Sequence, residues 1–190
     1  MSAKKRVIIV TDGDETAYHA LSLACKELHC HPLAASAGNP TPLNGPELLE
    51  AVRRAPADPV VVMVDDRGDA DRGRGEQALT ELTGSPEIEV LGVVAVAANT
   101  RPVDGVAVDR SVDQHGDLVR HAVNKKGRGI ASDVLKGDTV DVLADYAGPI
   151  VGLGDPGKMQ GHDAIKNGVP ATRRAIEEIL RREVERDGRR

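Results

Sequence analysis

The feature that most constrains this chain is a set of short apolar runs that do not alternate. Val7-Ile8-Ile9-Val10, Val60-Val61-Val62-Met63-Val64, Val90-Leu91-Gly92-Val93-Val94-Ala95-Val96 and Ile150-Val151-Gly152-Leu153 are apolar at nearly every position. A strand with one wet face alternates. A strand apolar at both parities is buried on both faces, as in a parallel sheet covered by helices. Between the runs lie stretches of helical spacing. Ala17, Leu21, Ala24, Cys25 and Leu28 share one face of a helix over about 15–29. Glu47 to Arg54 reads as a second, with Pro46 in its first turn and Pro56 behind it, and 76–83 as a third. Pro170 to Arg186 is a fourth, with Ala175, Ile176, Ile179, Leu180 and Val184 on one stripe. The order β-α-β-α-β-α-β over the first half predicts right-handed crossovers and a doubly wound, mainly parallel α/β sheet in three layers.

The middle of the chain breaks this rhythm. Pro32 to Ser36 reads as a short strand and Gly38-Asn39-Pro40-Thr41-Pro42 as a loop. Val106, Val108 and Ser111-Val112-Asp113 alternate, Gln114 to Asp117 makes a turn, and Leu118 to Val123 returns. This predicts a β-hairpin insertion over 106–123, lying at the sheet edge or projecting as an arm. Asn124 to Gly129 is a Lys/Arg-rich loop, and Asp138-Thr139 is placed to cap a short helix through Leu143. No internal repeat or long linker divides the chain, so 1–190 is expected to be a single domain, with 185–190 a candidate disordered tail.

Composition excludes several classes. Tyr18 and Tyr146 are the only aromatics, so the core is aliphatic and base stacking has no platform. With a net charge of -5 and both signs interspersed, no basic footprint for nucleic acid exists. Arg181, Arg182, Arg186, Arg189 and Arg190 are interleaved with acids, as on a solvated helix face. No run approaches the roughly 18–20 apolar residues of a membrane span. The run behind Lys4, Lys5 and Arg6 falls short of the about 7–15 of a signal peptide. An intracellular protein is expected, with Cys25 and Cys30 reduced. Cys25, His29, Cys30 and His31 have poor zinc spacing, since Cys30 leaves the face that Cys25 and His29 share.

Chemistry concentrates where the strands stop. Thr11-Asp12-Gly13-Asp14-Glu15 follows the first strand, Asp65-Asp66-Arg67-Gly68-Asp69 the third, and Gly154-Asp155-Pro156-Gly157-Lys158 the last. In a parallel sheet these breaks share one edge, the edge at which open α/β folds bind ligands. Asp12, Asp14, Asp65 and Asp66 are therefore candidate metal ligands, for Mg²⁺ or Ca²⁺. An acid after the first strand with paired Asp after the third resembles the Toprim domain of topoisomerases and primases, with adjacent Asp65-Asp66 in place of Asp-x-Asp. The sheet is accordingly expected to be Rossmann-like or Toprim-like. Gly38 and Asn39, Gly73, Gly75 and Glu76, and Gly154, Asp155 and Lys158 form Gly-rich junctions suited to a small anion, although none is a Walker A or Gly-x-Gly-x-x-Gly sequence. Asp-Gly pairs also simply make turns, and Asp caps helices. No nucleophile elbow is present, and His115, His121 and His162 read as exposed, so no catalytic residue is assigned.

An ordered set of motifs resembles the soluble form of the stage V sporulation protein AE family. It comprises Val10-Thr11-Asp12-Gly13-Asp14, Ser36-Ala37-Gly38-Asn39-Pro40-Thr41, Asp65-Asp66-Arg67-Gly68, Gly73-Arg74-Gly75-Glu76, Glu89 to Ala97, Asp109-Arg110-Ser111-Val112-Asp113 and Gly152 to Met159, and the similarity spans about 5–183. Departures lie at Arg67, Asp69 to Arg72, and the basic segment 125–128. The resemblance implies a soluble, non-catalytic part of the machinery that moves dipicolinic acid, with calcium, into the developing spore and out at germination. It implies partners among stage V sporulation proteins of the same operon, several of them membrane proteins. It also implies a place in the forespore or spore, peripheral at the inner membrane, and it carries no catalytic residues across. Dipicolinate is a candidate ligand, and a homo-oligomer a candidate assembly. The alternatives are a small-anion or divalent-cation binding protein, or a Mg-dependent Toprim-like enzyme.

Overall fold

Seven strands form the main sheet of the computed structural model, which describes residues 3–67, 73–99 and 104–188. In chain order the elements are β1 (Lys5–Val10), α1 (Glu15–Leu28), β2 (His31–Pro32), α2 (Gly45–Arg54), β3 (Val60–Met63), α3 (Arg74–Gly84) and β4 (Ile88–Val96). They continue with β5 (Val106–Ala107), β6 (Arg110–Val112), β7 (Leu118–Val119), β8 (Val134–Leu135), β9 (Ile150–Leu153) and α4 (Pro170–Asp187). The strand order is β2-β3-β1-β4-β9-β6-β7, parallel throughout except for β7 at the edge. Gly68, Asp69 to Arg72 and the last two arginines of the expected tail lie outside the described residues.

The doubly apolar strands behave as their pattern requires. Val7, Ile9, Val60 and Val62 face Leu48 and Val52 of α2 and Ala78, Leu79 and Leu82 of α3. Ile8, Val10, Val61 and Met63 face Ala17 and Leu21 of α1 and Ile176 and Ile179 of α4. The result is three layers around a sheet whose central strands are aliphatic and buried on both faces, the expected Rossmann-like α/β architecture. Helix starts are set by side chains. Asn44 and Glu47 close a reciprocal capping box on α2, and Asp14 caps α1 by accepting from the Ala17 N–H at 2.8 Å.

Three local expectations are revised. The strand expected over Pro32 to Ser36 survives only at His31–Pro32, and Ala34–Ser36 is a 3₁₀ turn. Its cause is Ser36, whose buried hydroxyl donates to the Leu33 carbonyl and accepts from the Met63 N–H, closing the turn against the end of β3. The hairpin exists as β6–β7 at the sheet edge, the first of the two expected placements, with β6 paired in parallel with β9, but it is shorter than 106–123. Val106 leaves it and pairs with Leu135 in a separate two-stranded sheet. Asp138-Thr139 does not cap the 3₁₀ turn at Asp141–Asp145, which has no side-chain cap.

Candidate functional site

The chain reverses its direction of winding between β1 and β4. From β1 the chain crosses to β2 at one edge and returns to β3, then passes β1 to reach β4 and β9 on the other side. The helix α1, which follows β1, packs on one face, and Val106 and Leu135, which follow β4, pack on the other. Strands flanking such a reversal part at their C-terminal ends and leave a crevice. Thr11 marks where they part: its N–H donates to the Val94 carbonyl at 3.1 Å, and its hydroxyl accepts from the Val96 N–H at 2.9 Å. Beyond it the chains diverge around a cavity of about 110 Å³.

Carboxylates dominate this cup. Asp12, Asp14, Asp65, Asp138 and Asp155 line it, against the ammonium groups of Lys125 and Lys158. Asp12 is only 8% exposed and accepts from the Asp14 N–H at 3.1 Å. Burial, and next the charge of Asp14, push its carboxyl up to about 7. Asp65 accepts from the N–H groups of Gly13 at 3.0 Å and Arg67 at 2.9 Å, yet burial still raises it. Asp138 is raised chiefly by burial too, and its Oδ1 is enclosed without a hydrogen-bond partner among the described residues.

Asp12, Asp14 and Asp155 each offer an oxygen within 4.8 Å of the other two, the spacing of a metal-binding set. Lys158 sits among them, with Nζ 2.5 Å from Asp14 and 3.3 Å from Asp155. Burial works against the ammonium, but Asp14, Asp155 and Asp12 outweigh it and raise its pKa. The loop carrying Asp155 and Lys158 is moored by Asp163, which is fully buried. Its carboxylate accepts from the N–H groups of Gly157, Ala171 and Thr172 and from the Thr172 hydroxyl, tying the loop to the start of α4.

The expected site residues divide into two groups. Asp12, Asp14, Asp65, Asn39, Asp155 and Lys158 meet at the cup. Asp66 turns away, its carboxylate accepting from the N–H groups of Gly75 at 2.6 Å and Glu76 at 3.0 Å. The start of α3, expected to offer Gly73, Gly75 and Glu76 to an anion, thus receives the chain's own carboxylate. Gly75 also lies against the Asp65 backbone. Gly38 touches Gly13 through its carbonyl, and Gly154 lies against the Gly127 N–H, so both serve close approach of loops. Sequence reasoning missed Lys125 and Asp138. They reach the cup from remote loops, and the only hint was the basic character of 125–128.

A family model described as stage V sporulation protein AE1 matches residues 6–183. No curated protein and no solved structure matches the chain. Among the described residues no helix is long and apolar enough to cross a membrane.

Proposed function

Because the chain belongs to the stage V sporulation protein AE1 family, and so has a sporulation-related role, we propose that it serves as a non-catalytic component holding a divalent cation in the acidic cup. The observation that carries this is the triad of Asp12, Asp14 and Asp155, whose oxygens converge within 4.8 Å at the winding reversal. Five carboxylates face two ammonium groups there, and the mismatch is relieved by proton uptake at Asp12 or by a cation. All the acids are hard oxygen donors, which suit Ca²⁺ or Mg²⁺. A volume near 110 Å³ suits an ion with a few waters.

Dipicolinate enters this reading only as a chelate. A free dianion is repelled by the cup, whereas its calcium complex brings the charge the cup lacks. The protein then works at the spore inner membrane through contacts with other stage V sporulation proteins, membrane proteins among them. Isothermal titration of Ca²⁺ and Mg²⁺ at pH 8 tests the core of the reading. Saturable heat from the wild type, lost in an Asp14→Asn/Asp155→Asn variant that stays folded, is expected. No heat at millimolar cation would remove it.

A further inference from the structure

The C-terminus of α1 brings two thiols together. On a continuing helix Cys30 would leave the face that carries Cys25. The backbone instead turns left-handed at His29, with φ 56° and ψ 39°, and folds Cys30 back. The Cys25 carbonyl accepts from the His29 N–H and, at 3.0 Å, from the Cys30 N–H. A bond from an N–H to the carbonyl five positions earlier closes a Schellman cap, which brings the side chains at its two ends into contact. Both of those side chains are free cysteines. Cys25 is 1% exposed, inside the aliphatic cluster between α1, α4 and the sheet, and Cys30 lies half-buried at the margin of that cluster.

The two thiols hydrogen-bond to each other, and that bond separates their acidities. It holds Cys30 below the ordinary thiol range, with burial opposing it. The same bond, and next burial, raise Cys25. Local charge is not the main cause. The Arg6 guanidinium near Cys30 is already matched by Asp58 at 2.7 Å and Glu183 at 2.9 Å. The pair is asymmetric: a half-buried thiol that ionises to a nucleophile stands beside a buried thiol placed to resolve what it forms. Sulfurs already within hydrogen-bond reach, on backbone already folded back, need little movement to bond.

We infer that Cys30 and Cys25 form a thiol–disulfide exchange site, which takes a low-molecular-weight disulfide as oxidant and closes a reversible Cys25–Cys30 bond across the end of α1. It is independent of the acidic cup, which lies about 20 Å away at the other end of this 14-residue helix. The Cys30 thiolate attacks one sulfur of the small disulfide. A mixed disulfide forms, and one small thiolate leaves and takes up the proton that Cys30 released. Cys25 then gives up its proton and attacks the Cys30 sulfur. The new bond displaces the second small thiolate, which takes that proton. The protein loses two electrons and two hydrogens, and the small disulfide becomes two thiols. Excess small thiol reverses both steps. The closed form fixes the end of α1 to the start of β2, where the His31 N–H donates to the Pro59 carbonyl at 2.8 Å.

Equilibration of the full chain at pH 8 in buffers of oxidised and reduced glutathione, native and in urea, tests this by intact mass and peptide mapping. The native monomer is expected to lose both free thiols together and to yield a Cys25–Cys30 link. Its equilibrium constant against glutathione should be about tenfold larger than in urea, a potential about 30 mV lower. The oxidised form should accordingly melt above the reduced one. Cys25→Ser should trap glutathione on Cys30, and Cys30→Ser should leave Cys25 unmodified until urea is added. The wild-type equilibrium decides the site even where a variant unfolds. A native chain that keeps both thiols free in a buffer that closes the bond in urea overturns the inference. So does a native constant no larger than the unfolded one, or a disulfide formed only between two molecules. Glutathione captured by Cys25 in native Cys30→Ser overturns the assigned roles.

Discussion

Asp12 carries the largest electrostatic cost in the cup. Its carboxyl is pushed up to about 7 by burial and by the neighbouring charge of Asp14. The unfolded chain releases that proton near 4, whereas the folded protein keeps it until about 7. The folded state therefore binds more protons across that window, and its stability falls as pH rises from about 4 to about 7, then levels off. Asp65 and Asp138, raised for the same reason, act with the same sign. Keeping Asp12 charged costs at most about 4 kcal/mol. An Asp12→Asn variant in EDTA is thus expected to be more stable than the wild type at pH 8 and little changed at pH 4, by urea unfolding. Equal stability of the two at pH 8 would contradict this. A cation competes for the same oxygen, so Ca²⁺ should bind about tenfold more weakly at pH 6 than at pH 8. Asp12, Asp14 and Asp65 were legible because each lies within four residues of the end of an apolar strand. Asp163 was not. Its donors lie six to nine residues away, in a loop whose course depends on left-handed backbone at Gly157 and Val169.

At the scale of elements, the cup depends on how closely the β1–α1 turn meets the loop after the first 3₁₀ turn. A Cβ on Gly13 would lie 2.0 Å from the Gly38 carbonyl oxygen and 2.8 Å from the Asp65 Cβ. The Gly38 loop has little room to yield, because Thr41 is laced to Asp65. The Thr41 N–H donates to the Asp65 carbonyl at 2.9 Å, and the Thr41 hydroxyl accepts from the Asp65 N–H at 2.7 Å. Gly13→Ala is expected to cost roughly 2–4 kcal/mol in urea unfolding and to abolish cation binding. Gly84→Ala is the control. It lies in α3 with nothing within 4 Å of the new methyl group, so it should stabilise by about 0.5–1 kcal/mol. A Gly13→Ala protein as stable as the wild type would show that the loops are free to part. Helices and central strands were legible because their signals are periodic and local. The exchange of Val106 to a partner at Leu135, and of β6 to β9, was not, because pairing across such distances leaves no mark in local alternation.

Across the whole molecule, the parallel order β3-β1-β4-β9 brings three acidic strand ends to one edge, and the wrap of the middle segment supplies Lys125 and Asp138 from the opposite wall. The convergence of strand ends follows from topology alone. The closing wall does not, since it is built from irregular chain. Lys158, beside Asp14 and Asp155, and Lys125, 3.8 Å from Asp155, are the internal counter-charges of this assembly, and among the described residues neither forms an ion pair with Asp12 or Asp65. A bound divalent ion should therefore stabilise the whole fold by mass action. At about 100 times its dissociation constant it adds about 2.7 kcal/mol, and in a domain of this size each kcal/mol raises the midpoint by about 2–4 °C. Calorimetry at pH 8 is expected to show a rise of about 5–10 °C in calcium over EDTA, shrinking at pH 5 as Asp12 takes up its proton. Lys158→Met sharpens the comparison: without its ammonium the calcium-free protein should melt lower, and the calcium-induced rise should grow. Identical midpoints in calcium and EDTA at pH 8, for the wild type and for Lys158→Met alike, would mean that protons and the chain's own cations balance the cup without a divalent ion.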